Sequence, residues 1–234
     1  LKPGDQIGGY ILAQNLGKGT LTETWTAKHA KTQEPATLKI FEDWVSNIES
    51  VSTKLTAEAE KVMSISHPAM VPLLDYHFAT RLGERSFLVM PFVEGEPLHK
   101  WLQMKKRRAE DVVKLFLPVM EGLDVLHRQG ALHLNVRPSN ILVDKNGRAM
   151  LTDSDLSGAF ELPRAVAADV LEYSSPERLA GKLANPAADV YSIACVLLKS
   201  LGGQPPAWAT DVHATTKCWV VMPEHAAAFS HGLG

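Results

Sequence analysis

The spacing of apolar residues changes near residue 97, and this restricts the chain to a sheet-rich first part and a mainly helical second part. Before that point, "GGYILAQNLGKGTLTETWTAKHA" holds two β-like runs around a glycine-containing turn, and "EPATLKIFE" is a third short strand. One helix interrupts them. In "ESVSTKLTAEAEKVMSI", Leu55, Ala59, Val62 and Met63 share a stripe, and the run stops before His67-Pro68. "MVPLLDYHFA" and "RSFLVMPFV" read as a further strand pair joined through a turn at Gly83. Beyond residue 97, "AEDVVKLFLPVMEGLDVLHRQG" is a long amphipathic helix closed by Gly130, with Pro118 inside it as a source of kinking. Two short strand-like runs flank Asn146-Gly147, and "ADVYSIACVLLKSL" is a buried helix. "EGEPL" lies between the two parts, which predicts two lobes around a cleft.

Length and charge narrow the function classes. The 234 residues, 45% hydrophobic and 21% charged, suit one bilobal domain or a large α/β domain with a real core. A formal net charge of −2 speaks against nucleic acid or an anionic membrane as partner. The local run "KKRR", Lys105 to Arg108, reads as a solvated loop or helix end. Cys195 and Cys218 make no disulfide framework, so a reducing cytoplasm is the expected setting. No apolar stretch approaches the roughly 18 residues needed to cross a bilayer. The chain opens at Leu1 without a signal-peptide pattern, which fits a domain excised from a longer protein.

Single motifs say little here. A short turn with Gly17 and Gly19 is more often a plain hairpin than a phosphate cradle. Lys39 in a strand and Glu58 on a helix are more often surface residues. Order and spacing carry the signal: a Gly-rich hairpin, a strand Lys, a helix Glu, an apolar strand, His133-x-Asn135 with Asn140 five residues on, then Asp153 after a strand.

With this series the chain resembles the Hanks-type Ser/Thr protein kinases, in a bacterial style and over nearly its whole length. "LGKGTLTETW" is similar to the Gly-rich loop, with Thr22 for the third Gly and Thr24 for the following Val. "ATLK" is similar to V-A-I-K, "LVMPFVEG" to the hinge, "LTDSDL" to T-D-F-G-L, "YSSPE" to the A-P-E region, and "ADVYSIACVL" to the helix that follows. The fold this implies is α+β and bilobal. An N-lobe over 1–94 has an antiparallel sheet plus one helix, and a mainly helical, shortened C-lobe covers 95–234.

The resemblance also implies site roles. Gly17, Gly19 and Lys39 would hold phosphates, with Glu58 paired to Lys39. Met90 as gatekeeper, Pro91, Val93 and Leu142 would surround the adenine, and Asn140 and Asp153 would hold a metal, with Asp155 as a further ligand. The implied cofactor is ATP with Mg2+ or Mn2+. Asn135 stands where the family's catalytic Asp belongs, and Arg137 replaces the catalytic-loop Lys with its charge kept.

The losses gather at the reaction centre. Asn135 cannot take up a proton as a carboxylate does, which removes a contribution of roughly 10²–10⁴ in rate. Leu134 removes an Arg that pairs with phosphorylated loops, and Val170 replaces the Thr that contacts the catalytic acid. Between Ser157 and Tyr173 no Ser, Thr or Tyr remains to accept phosphate. Ser154-Asp155 replaces Phe-Gly, and Thr24 and Thr37 put hydroxyls into the adenine slot. The expectation is a pseudokinase acting as a regulatory or scaffolding signalling module on a protein partner. A weakly active Ser/Thr kinase is the alternative, and a kinase-fold enzyme with other nucleotide chemistry stands third.

Overall fold

The computed structural model describes residues 1–19, 22–43, 49–79, 81, 83–154 and 172–203. Strands β1 (Gln6–Ile7), β2 (Tyr10–Lys18), β3 (Thr22–His29), β4 (Pro35–Phe41), β5 (Asp75–His77) and β6 (Phe87–Pro91) form one antiparallel sheet in the order β1-β2-β3-β4-β6-β5. Helix α1 (Glu49–Met63) is inserted after β4. The second part holds β7 (Gly95–Pro97), α2 (Leu98–Met104), α3 (Ala109–Arg128), β8 (Ile141–Asp144), β9 (Ala149–Leu151), α4 (Pro176–Leu179) and α5 (Pro186–Ser200).

Register explains how the large sheet serves two purposes. Trp25 faces Leu38 and Ala27 faces Ala36, while Thr24 faces Lys39 and Thr26 faces Thr37. Directly paired residues share a face. Trp25, Ala27, Ala36, Leu38 and Ile40 therefore lie on one side, where they build a core with Leu12, Phe87 and Val89. Thr24, Thr37 and Lys39 occupy the other side, together with Leu88 and Met90, their β6 partners. Helix α1 covers part of that second face, setting Leu55 and Ala59 against Phe41, Leu73, Phe78, Leu88 and Met90.

The second part has its own core. Val112, Leu115, Phe116, Val119, Leu123 and Leu126 recur at helical spacing along α3 and pack with Ile193, Cys195 and Val196 of α5. Each fully buried large side chain here contributes about 1.5–3 kcal/mol through loss of water contact. Pro118 lies inside α3, and Gly130, at φ 71°, takes the left-handed turn just past its end. At Gly122 a Cβ would meet the Met70 Cγ at 2.8 Å, so α3 lies tight against the segment that carries Met70. That segment in turn bridges to Leu151 of β9.

"EGEPL" is not a free tether. Gly95–Pro97 forms β7 and pairs with β8, in a second sheet of order β7-β8-β9. The basic run joins α2 to α3 and is half engaged, with the Arg107 guanidinium 3.6 Å over the Trp101 ring and Arg108 paired to Asp111. Strand β1 gave no periodic signal, being two residues long. Asp155, Val170, Cys218 and the segment behind the expectation of a shortened C-lobe lie outside the described residues. Among the described residues no helix is long and apolar enough to cross a membrane.

Candidate functional site

The sheet of the first lobe and the β8-β9 hairpin of the second meet at Asp153. Lys39 extends from β4, and its Nζ lies 2.6 Å from Asp153 Oδ1. The contact is a close charge pair rather than an aligned hydrogen bond. Asp153 follows β9 with φ 67°, a left-handed conformation that Asp tolerates better than most residues. The expected Lys39–Glu58 pair does not form. Glu58 turns along its own helix to Lys61, 2.6 Å away. A neighbour three residues on is in reach without any lobe closure, and both groups stay partly in water.

Asn135 fills the space beside this pair. Its Nδ2 donates to the Asp153 carbonyl at 2.9 Å and to Asp153 Oδ2 at 3.2 Å. Both partners can only accept, so the amide nitrogen must face them. A carboxylate at 135 would repel both oxygens. Asn140, on a short 3-10 turn (Pro138–Asn140) before β8, donates its Nδ2 to the Asn135 carbonyl at 2.8 Å. Its backbone N–H bonds the Arg137 carbonyl, and its own carbonyl accepts from the Thr152 N–H, both at 2.9 Å. Arg137 itself is half-buried.

The remaining candidates surround this centre. Met90 is buried, and the Thr152 hydroxyl reaches its sulfur at 3.8 Å across the lobe junction. Pro91 ends β6, and half-buried Val93 follows in the segment leading to β7. Leu142 pairs with Met150 and Pro97, on the opposite face of β8 from the buried Ile141 and Val143. Gly17 pairs with Thr24 on the face that carries Lys39. Nothing lies within 4 Å of a Cβ built at Gly17, and the nearest atom to one at Gly19 is the Thr22 carbonyl at 3.5 Å. Among the described residues, packing therefore does not require these glycines. Open space at a glycine on the sheet face that carries Lys39 suits a phosphate group.

Two residues that position the loop, Asp189 and Arg178, were not foreseen. Asp189 of α5 is fully buried, with 0% exposure. Its carboxylate accepts from the His133 N–H at 2.8 Å, the Leu134 N–H at 2.7 Å and His127 Nε2 at 2.8 Å. Burial pushes its carboxyl pKa up, but the His127 bond, the nearby His133 and the two N–H groups outweigh this and hold it below the ordinary Asp value. Arg178 of α4 donates its Nη1 to the Leu134 carbonyl at 2.5 Å. Leu134 sits at φ 57°, which costs a non-glycine residue roughly 1–2 kcal/mol. Charge-assisted hydrogen bonds contribute about 1.5–3 kcal/mol each, enough to offset that strain. The available clue was an Asp at the start of an apolar helix, a position that needs a partner when buried.

For a divalent ion the donors are few. Among the described residues no group of three or more His, Cys, Asp or Glu side chains gathers at one place. Asp153 and the side-chain oxygen of Asn140 would supply the protein ligands, leaving phosphate oxygens and water to complete the shell.

A sheet-borne lysine meeting an aspartate across the junction of two lobes, over a loop of asparagines, is the layout of a kinase-like fold. The sequence matches the protein kinase domain family over residues 10–227, and the chain belongs to that family. It is 29% identical over 228 residues to the serine/threonine-protein kinase PknD of Mycobacterium tuberculosis, covering 94% of this chain and 33% of that protein. With PknB of Mycolicibacterium smegmatis it shares 27% identity over 208 residues, covering 84% of this chain and 33% of the relative. The chain thus spans about a third of the length of these relatives. Crystal structures of the Mycobacterium tuberculosis PknI kinase domain superpose with TM-scores of 0.68 and 0.69 at 22% and 20% identity. They cover 88% and 95% of this chain and 79% and 82% of those chains, and they bear on the fold alone.

Proposed function

We propose that this domain is a pseudokinase: a regulatory or scaffolding module of the kinase fold that binds a protein partner and transfers little or no phosphate. One observation carries the reading. At the position of the family's catalytic acid, Asn135 presents an amide donor already spent on Asp153. An amide accepts no proton from a hydroxyl substrate, so the general-base contribution is absent. Glu58 and Lys39 each engage a different partner, which agrees with a cleft not set for turnover.

ATP with Mg2+ or Mn2+ is the ligand this cleft suits. Lys39, Gly17 and Gly19 would take the phosphates, and Met90, Pro91, Val93 and Leu142 the base. Asn140 and Asp153 would take the metal, with Asp155 as a further ligand. When bound, the metal neutralises phosphate charge. The buried, unpaired Cys195 agrees with a reducing cytoplasm as the setting.

A weakly active Ser/Thr protein kinase is the second reading. It is favoured by the meeting of Lys39, Asp153 and Asn140 in one place. A thermal-shift titration with ATP, with and without Mg2+ or Mn2+, tests the cleft. A metal-dependent rise supports a nucleotide site, and no shift at millimolar ATP sinks it. Phosphate incorporation separates the two readings: activity in the wild type that vanishes in Asp153→Ala would establish the kinase.

A further inference from the structure

Leu134 is gripped at both of its backbone polar groups by charged side chains from distant elements. Its N–H donates to Asp189 Oδ1 at 2.7 Å, and its carbonyl accepts from Arg178 Nη1 at 2.5 Å. The side chain is buried, and the backbone is left-handed at φ 57°. Leucine has no local hydrogen bond to favour that conformation, unlike Asn or Asp. Something outside the loop must hold it.

Asp189 alone fixes only the N-terminal side. Its oxygens take the His133 and Leu134 N–H groups and His127, and none reaches the peptide that joins Leu134 to Asn135. That peptide determines where Asn135 points, because its carbonyl belongs to Leu134 and its N–H to Asn135. The N–H meets His133 Nδ1 at a long 3.3 Å, and the carbonyl meets the Arg178 guanidinium. Downstream, the Asn135 amide reaches Asp153 and the Asn135 carbonyl receives Asn140.

We propose that Arg178 is a positioning residue for the cleft: from α4 it orients the Leu134–Asn135 peptide and so keeps the Asn135 amide on Asp153. Arg178 acts on the cleft through Leu134, whose carbonyl its Nη1 meets. It thereby links the short helix after "YSS" to the loop of asparagines. The link is geometric and holds whether or not the cleft transfers phosphate. A failure of the pseudokinase reading therefore leaves it standing, and its own failure leaves that reading standing.

The test uses the unliganded chain and four variants, Arg178→Ala, Arg178→Gln, Arg178→Lys and Asn135→Asp. Two readouts are taken: amide hydrogen exchange by residue, and the side-chain amide resonance of Asn135, assigned by its loss in Asn135→Asp. In Arg178→Ala, exchange at residues 134–136 is expected to rise about tenfold, while the amides of α3 and α5 stay as in the wild type. The Asn135 side-chain resonance should shift towards that of a solvated amide. Arg178→Lys keeps a charged donor and should restore most of both signals. Should Arg178→Ala not fold, the milder Arg178→Gln is expected to give a rise of about threefold in the same residues. Unchanged exchange and an unmoved Asn135 resonance would overturn the proposal. So would a rise spread equally over α3 and α5, or a lysine variant no better than alanine.

Discussion

Lys39 and Asp153 lie 2.6 Å apart across the lobe junction, while Glu58 on α1 is held by Lys61. The lysine thus bridges sheet to hairpin, not sheet to helix. The cleft carboxylate is neutralised by the chain's own Lys39 ammonium and accepts a hydrogen bond from the Asn135 amide.

Removing that ammonium should be felt by the whole domain. With side-chain exposures of 12% and 20%, the pair is only partly shielded, so Lys39→Met should cost about 1–3 kcal/mol, less than the roughly 3–5 of a fully buried pair. Glu58→Ala should change stability by no more than about 0.5 kcal/mol, since its pair with Lys61 is solvated. Urea unfolding of both variants makes the comparison, and equal losses would contradict it.

Asp189 should make stability fall in acid. Its pKa is lowered in the fold, so the unfolded chain binds the proton more readily, at about the ordinary 3.9. The stabilisation is fully present above that value and is lost as pH falls through the lower folded pKa. Unfolding midpoints between pH 6 and pH 3 should drop more steeply in the wild type than in Asp189→Asn. That variant should be weaker at pH 7 by roughly 3 kcal/mol, because a buried network loses its charge. Parallel pH profiles would exclude Asp189 as the source.

Two glycines should respond in opposite ways to the same methyl group. At Gly95 a Cβ would meet the Val143 carbonyl oxygen at 2.8 Å, so Gly95→Ala should cost about 1–3 kcal/mol. At Gly17 nothing lies within 4 Å, and Gly17→Ala should leave stability unchanged or raised by up to about 1 kcal/mol. If the space at Gly17 admits phosphate, Gly17→Ala should also weaken ATP binding. Thermal melts and an ATP titration read both effects.

Burial pushes the Cys195 thiol up to about 11, which leaves almost no thiolate at neutral pH. Iodoacetamide at pH 8 should therefore leave Cys195 unmodified in the folded chain and label it fully in 6 M urea. Peptide mass spectrometry, resolving Cys195 from Cys218, measures this. Rapid labelling of the native protein at Cys195 would contradict its burial.

Periodicity made α1, α3, α5 and the paired strands legible, because each buries one face at a regular spacing. Spacing likewise singled out Lys39, Asn135, Asn140 and Asp153, which the fold brings together. The partner of Glu58 was not legible. It depends on how α1 is seated on the sheet, and a local Lys61 competes with a distant Lys39. Nor could sequence reveal the left-handed turn at Leu134, a residue with no preference for it. That turn rests on Asp189 and Arg178, which stand 55 and 44 positions further along the chain.

The pairing of Gly95 with Asp144 joins residues 49 positions apart in sequence, 144 less 95. Closing so long a loop carries an entropic cost that local contacts within β7 and β8 are too few to offset. The intervening chain includes α2 and α3, and burial of Phe116, Leu123 and Leu126 supplies the missing drive. The strand beside the lobe junction is thus expected to form late in folding, when α3 collapses onto its neighbours. Substitutions that slow this collapse should delay the appearance of the cleft even where they lie far from it.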